Sequence, residues 1–187
     1  MLITALTQQC APMVAPSTLA AIVQVESGGN PLAMWNNTTG QRVIPDTPQQ
    51  AVDYLQQALA RGNKVDVGIA QVDTENFSAY GLTPITAFDA CRNLRVGGEI
   101  LKASYQKAVR DGFGGQVALY HAFEAYNSGH LWGDSVYANR VLRAAGIPVA
   151  LTQGREMFMD IPQWKSPFVQ NWKPRRDWLQ VSATAQK

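Results

Sequence analysis

Ser17-Thr18-Leu19-Ala20-Ala21-Ile22-Val23-Gln24-Val25-Glu26-Ser27-Gly28-Gly29-Asn30-Pro31 reads as a short helix that carries a carboxylate in its last turn and stops at a glycine pair. Ser17 is a good N-cap, and Leu19, Ile22 and Val23 recur at helical spacing, so they define one apolar face directed at a core. Glu26 lies seven residues after Leu19 and four after Ile22, so it continues that face. Burial disfavours the charged carboxylate, and so does the partial negative charge at a helix C-terminus; both predict a raised pKa. A carboxyl group kept protonated near neutral pH can act as a general acid. The plain alternative is a solvated glutamate at a frayed helix end, the commoner fate of such residues.

Outward from this stretch, 187 residues at 46% hydrophobic suffice for one good core, divided here into a domain over 1–147 and a tail over 148–187. There is no run of about 18 apolar residues to span a membrane. Met1 to Leu6 is apolar but too short for a signal peptide and lacks a basic lead, so an export signal has been removed or the protein leaves the cytoplasm by another route. The net charge of +2 is uneven: residues 151–187 hold six Lys or Arg against three Asp or Glu, and residues 1–150 hold ten against eleven. The body therefore has no global basic surface, which argues against nucleic acid as a partner. The tail, with three of the five tryptophans and no sustained period, has the composition of a mobile partner-binding segment or of a functionless end. Cys10 and Cys91 are either a disulfide or two buried thiols, and their spacing is not that of a metal or redox motif. With only two histidines and no ligand cluster or phosphate loop, no metal and no cofactor is expected.

In chain order, Pro12 and Pro16 predict an extended approach over residues 7–16, and the segment Leu32 to Pro45 an ordered loop or small hairpin. Its Trp35 is a core cover or a platform for a sugar ring, with packing the more frequent role. Asp46 or Thr47 caps a helix that ends at Gly62, with Ala51, Val52, Leu55, Ala58 and Leu59 inward. Val65 to Val72 is a buried strand or a tight loop entering a helix capped by Asp73; the amide of Gln71 within it must find a hydrogen-bond partner in backbone or ligand. Asp89 to Arg110 is the longest helical pattern and reads as the central helix, with Gly97-Gly98 allowing close approach. Gln116 to Tyr126 is helical again, and Ser135 caps a last helix through Ala145 with Tyr137 and Val141 inward.

Four stretches in this order, Glu26-Ser27-Gly28-Gly29-Asn30-Pro31, Gly68-Ile69-Ala70-Gln71-Val72, Ala125-Tyr126-Asn127-Ser128-Gly129, and Tyr137 followed by Val141, resemble the motifs of the soluble lytic transglycosylase family. The surroundings of Cys10-Ala11-Pro12 and Ala90-Cys91-Arg92-Asn93-Leu94 are similar to the branch that accompanies type IV secretion systems, the VirB-one-like proteins. The resemblance covers about residues 8–145.

It implies a mainly α, lysozyme-like fold of the goose-type kind, with a short β or loop element lining a cleft for peptidoglycan strands. It further implies a monomer in the periplasm of a Gram-negative bacterium. The activity it implies is non-hydrolytic cleavage between N-acetylmuramic acid and N-acetylglucosamine that leaves an anhydro-muramyl end, opening the wall locally for secretion-system assembly. Secretion-system components would be partners through the tail. Carried over position by position, Glu26 is the acid and base, Ser27 positions backbone or substrate, Gln71, Tyr126 and Asn127 contact sugar or acetamide, and Tyr137 hydrogen-bonds the Glu26 carboxyl. Cys10 and Cys91, each within a stretch similar to that branch, are the candidate disulfide pair. Two positions depart from the family pattern: Ala70 stands where Met is common, removing a side chain from the cleft floor, and Asp73 stands where Asn is common. His121 and Glu124 have no family role, and His121 reads as a surface or partly satisfied helix residue.

A single acid suffices if the substrate supplies its own nucleophile. A hydrolytic lysozyme of the same fold would need a second acid across the cleft, and Asp66 and Asp73 are the candidates near a motif. A non-catalytic wall-binding or assembly module is the competing class, and the presence of Glu26 and of the Tyr137 hydroxyl argues against it.

Overall fold

A computed structural model describes residues 3–147; residues 1–2 and the proposed tail over 148–187 lie outside the described residues. Among the described residues there are seven α-helices and one four-stranded antiparallel sheet, the mainly helical architecture expected.

The chain opens with a helix where an extended approach was expected. Helix α1 spans Ile3–Cys10, because Ile3, Leu6, Thr7 and Cys10 fall on one face and turn toward the core. The Thr7 hydroxyl donates to Thr4 O and Pro16 O, stitching α1 to the next element, and Pro12 acts only after the helix has ended.

Helix α2 spans Pro16–Glu26. Its first residue is Pro16, whose fixed φ suits a helix start, and the N-cap is Ala15 with no side-chain cap; Ser17 sits inside the first turn and does not cap. Leu19, Ile22 and Val23 are each fully buried, worth about 1.5–3 kcal/mol apiece relative to exposure. The helix closes when the amides of Ser27 and Gly28 both donate to Val23 O. Gly29 then takes φ +88°, where a Cβ would meet the Ile3 side chain at 2.9 Å.

The sheet runs β2 (Gln41–Val43), β1 (Met34–Asn36), β3 (Val65–Val67), β4 (Val72–Asp73). The expected hairpin is β1–β2. Register sets one row across all four strands: Arg42, Trp35, Asp66, Asp73. The adjacent row, Val43, Met34, Val67 and Val72, faces the opposite way and is buried or half-buried. Trp35 therefore does not cover the core: it is 41% exposed, whereas Met34 is 1% exposed.

Helix α3 (Pro48–Ala60) covers the apolar face with Ala51, Leu55 and Ala58; Thr47 and Gln50 form a capping box, which settles the cap on Thr47. A 3₁₀ turn over Thr74–Asn76, capped by Asp73, leads into the one-turn α4 (Phe77–Tyr80), and a second 3₁₀ turn covers Thr86–Phe88. Helix α5 (Ala90–Arg110), capped by Asp89, is the central helix: Leu94, Leu101 and Tyr105 join the core of α1, α2, α6 and α7, while Val96 and Ile100 join the core of the sheet and α3.

Helix α6 spans Gly115–Ser128, so Asn127 and Ser128 are its last turn. Helix α7 spans Ser135–Ala144 and is capped by Asp134, whose carboxylate accepts from the Tyr137 amide at 2.8 Å; Ser135 is its first residue, not its cap. An Asp one position upstream supplies a charged acceptor, which the positive end of the helix favours. Cys10 and Cys91 are joined, tying the end of α1 to the start of α5 across 81 residues of sequence. No described helix is long and apolar enough to cross a membrane.

Candidate active site

A cleft of about 570 Å³ opens between the helical core and the sheet. Glu26 from α2 lies in it, with Asp66 and Asp73 from the sheet, Gln71 and Val72 from the β3–β4 turn and strand, Tyr126 to Gly129 from the end of α6, and the later turns of α5.

Glu26 is held as the helix pattern requires, packed on its stem side and open to the cleft at its head. The Tyr137 hydroxyl donates to Glu26 Oε1 at 2.5 Å, bridging α7 to α2. Burial pushes the Glu26 carboxyl up from 4.5 to about 7. The Tyr137 hydrogen bond opposes this, the nearby Asp66 charge reinforces it, and Arg140 opposes it. The result is a carboxyl group that is half protonated near neutrality, able both to give and to take a proton.

Tyr137 and Tyr126 stand nearly parallel, with ring centroids 6.5 Å apart. Both hydroxyls are held well above their ordinary pKa, chiefly by burial and then by the Glu26 charge, so both remain donors. The Tyr126 hydroxyl donates a hydrogen bond to Ala70 O at 2.8 Å, fastening the end of α6 to the β3–β4 turn. This contact explains Gly97: a Cβ there would lie 2.8 Å from both the Ala70 Cβ and the Tyr126 hydroxyl. Ala70 is fully buried against α5 and does not form the cleft floor, so its small side chain serves packing and not sugar preference.

The turn itself is strained. Gln71 has φ +48°, the one non-glycine residue with positive φ among the described residues. Its side-chain nitrogen donates to Ala33 O at 2.8 Å and Gly68 O at 2.7 Å, so the amide's partners are backbone. Asn93, fully buried on α5, donates to Val67 O and Ala87 O and accepts from the Ala70 amide. A Cβ on Gly68 would lie 2.5 Å from the Asn93 amide nitrogen, so the turn must present glycine there.

Of the residues singled out by sequence, Glu26, Gln71, Tyr126 and Asn127 line the cleft, and Tyr137 stands behind Glu26. Ser27 is buried, donates to Ile69 O at 2.7 Å and accepts from the Gly29 amide; its hydroxyl joins the end of α2 to the same turn. Asn127 donates to Asp134 at 2.9 Å. Asn93 and Arg140 were not singled out. Asn93 carried a signal, an amide four and eight residues before Gly97 and Leu101 on the apolar face of the central helix, where a buried polar group must have partners.

Asp66 sits on the opposite wall. Its carboxyl is pushed from 3.8 to about 6, first by burial, opposed by the hydrogen bond from Asn37 and reinforced by Asp73. His121 is not a surface residue: it is fully buried, with Nδ1 2.6 Å from Glu124 Oε2 and 2.8 Å from Leu131 O, and its ring packs against those of Phe113 and Trp132. The pair pins the α6–α7 loop. No group of three or more His, Cys, Asp or Glu among the described residues is arranged to hold a metal.

Comparison with known proteins gives the family. The family model of the transglycosylase SLT domain matches residues 4–139. Type IV secretion system protein virB1 of Brucella abortus is 44% identical over 131 residues, covering 68% of this chain and 54% of the relative. Protein virB1 of Agrobacterium fabrum is 41% identical over 122 residues, covering 65% and 49%, and that of Rhizobium radiobacter is 40% identical over 129 residues, covering 66% and 51%. The chain thus spans about half the length of these curated relatives. No solved structure matches the chain significantly. The match over most of the described residues, with Glu26, Gln71, Tyr126 and Tyr137 gathered around one cleft, places the chain in the transglycosylase SLT domain family.

Proposed function

We propose that this domain is a peptidoglycan lytic transglycosylase that cleaves the bond between N-acetylmuramic acid and N-acetylglucosamine and leaves a 1,6-anhydro-muramyl end. The observation that carries the reading is the Glu26 carboxyl, raised to about 7 by burial and bonded to the Tyr137 hydroxyl.

Protonated Glu26 gives its proton to the departing glycosidic oxygen. The muramyl acetamide oxygen attacks the anomeric carbon and takes up the positive charge as the bond breaks. Glu26, now a carboxylate, removes the proton from the same sugar's primary hydroxyl, whose oxygen closes on the anomeric carbon and expels the acetamide. The proton returns to Glu26 and the acid is restored. One residue serves as acid and then base because its pKa lies near the working pH, a placement worth about 10²–10⁴ in rate. The Tyr137 hydroxyl orients the carboxyl through both steps, and Gln71, Tyr126 and Asn127 contact the sugar or its acetamide. Holding the primary hydroxyl in place of water selects the cyclic product.

Hydrolysis of the same bond is the second reading, favoured by one observation: Asp66 and Asp73 both line the cleft with Glu26. A binding module without turnover is the third. Mass spectrometry of muropeptides released from purified sacculi separates them. Anhydro ends from the wild type and none from Glu26→Gln support the transglycosylase; reducing ends alone mean a lysozyme; equal release by both proteins overturns the assignment to Glu26.

The relatives' names extend the proposal to local opening of the wall for assembly of a type IV secretion system. The periplasm is the compartment proposed, supported by the Cys10–Cys91 bridge, since disulfides persist where conditions are oxidising.

A further inference from the structure

The cross-strand row that supplies two of the cleft's carboxyl groups does not stop at them. Asp73 and Asp66 line the cleft, and the next residue in the same row is Trp35, followed by Arg42. Residues directly opposite in an antiparallel pair have Cβ atoms about 4.5–5.5 Å apart and point to the same side of the sheet. The Trp35 side chain therefore rises from the cleft face immediately beside Asp66.

β1 is an interior strand, between β2 and β3, and its alternation sends Met34 and Asn36, each 1% exposed, to the opposite side of the sheet from Trp35. Trp35 is 41% exposed on a backbone held by pairing on both edges. Among the described residues the other tryptophan, Trp132, is 69% exposed but rests against the His121 ring. An indole fixed on a rigid strand, next in the row to a carboxyl group of a polar groove, suits a ligand that is apolar on one face and hydroxylated at its edge. A pyranose ring is such a ligand: its C–H face stacks on the indole, and its hydroxyls donate to the neighbouring Asp66 carboxylate.

We propose that Trp35 is the platform of a further sugar-binding subsite, one step along the glycan from the residues bonded by Asp66, with Arg42 at its outer end. The proposal rests on the reading of the cleft as a glycan site and adds to it a length requirement: strands long enough to cross β1 bind more tightly than short ones.

The test is steady-state cleavage by the purified protein of two substrates, long uncross-linked glycan strands and the shortest oligomer cleaved. The proteins compared are wild type, Trp35→Ala and Trp35→Phe, each shown by thermal melting to be folded. On long strands, Trp35→Ala is expected to raise KM about tenfold, the equivalent of about 1.4 kcal/mol, with kcat little changed. Trp35→Phe keeps most of the affinity because it retains a ring, and the shortest oligomer is cleaved alike by all three. Wild-type KM for Trp35→Ala on long strands overturns the platform and leaves the transglycosylase reading standing, as does an equal loss on both substrates. No cleavage of either substrate by the wild type overturns the function and the platform together.

Discussion

The two walls of the cleft each present a carboxyl group, and they hold it by different means. On the helical wall Glu26 ends an apolar helix face and receives a hydroxyl from Tyr137. On the sheet wall Asp66 receives an amide hydrogen from Asn37 and lies opposite the like charge of Asp73. Burial is the leading cause of the upward shift in both, but Glu26 reaches about 7 and Asp66 about 6. At neutral pH much of Glu26 still carries its proton while Asp66 has lost its own. Both carboxyl groups are raised by burial, and Glu26 stays the higher of the two, so it is the better proton donor and Asp66 the more fully charged. In the proposed mechanism the helical wall carries the proton transfers, and the sheet wall binds and tunes.

The largest break in that division is Glu26→Gln. It should lower turnover by about 10²-fold or more, read by release of soluble muropeptides, because Glu26 is the one carboxyl group that α2, α5 and α6 contribute to the cleft. The same change should flatten the pH dependence of stability. A carboxyl group whose folded pKa is raised stabilises the fold most below its unfolded value and loses that stabilisation as pH rises. The wild-type melting temperature should therefore fall between about pH 4.5 and 7 by more than that of Glu26→Gln, a difference that scanning calorimetry reads directly.

Next is the joint between the walls. Gly97→Ala places a methyl 2.8 Å from the Ala70 Cβ and the Tyr126 hydroxyl, so it must displace the β3–β4 turn or the end of α6. A loss of about 1–3 kcal/mol in chemical denaturation is expected, as for other overpacked sites. Wild-type stability would show that the walls are not held together there.

Tyr137→Phe sharpens the comparison from the helical side. The hydroxyl stabilises the charged form of Glu26, so its removal should raise the Glu26 midpoint above about 7 and move the alkaline limb of the pH–rate profile upward. Activity should fall about tenfold through lost orientation, the scale of one hydrogen bond to a charged group. A downward move of that limb would contradict the geometry.

The smallest effect comes from the sheet side. Asp66→Asn removes a negative charge that raises the Glu26 midpoint, so the alkaline limb should move to lower pH by less than in the tyrosine variant, and in the opposite direction. Products should keep their anhydro ends. Loss of all turnover with Glu26 intact would make Asp66 a participant in the chemistry and favour hydrolysis.

The same division governs what could be read from the sequence. The helical wall was legible because its signals are periodic: Leu19, Ile22, Val23 and Glu26 share one face of α2, and Tyr137 and Val141 one face of α7. Its motifs, taken in order, also carried the family resemblance. The sheet wall was legible only in outline, as a hairpin over residues 32–45 and a strand or tight loop over 65–72, because strands of two or three residues are too short to show which side chains face the cleft. The outward turn of Trp35 is a matter of register, which only pairing with Asp66 and Arg42 sets. Helix caps were placed too late, by two residues at Ser17, where the cap is Ala15, and by one at Ser135, where it is Asp134. Helix α1 was missed because Pro12 was read as governing a segment that ends before it. The role of Asn93 needed tertiary structure, since its three partners come from residues 67, 70 and 87.

The account depends most on the protonation of one side chain. Titration of the Glu26 carboxyl carbon by NMR, assigned against Glu26→Gln, should give a midpoint near 7, well above the ordinary 4.5. A midpoint at the ordinary value would mean an ionised glutamate at neutral pH, and the single-acid mechanism would be wrong.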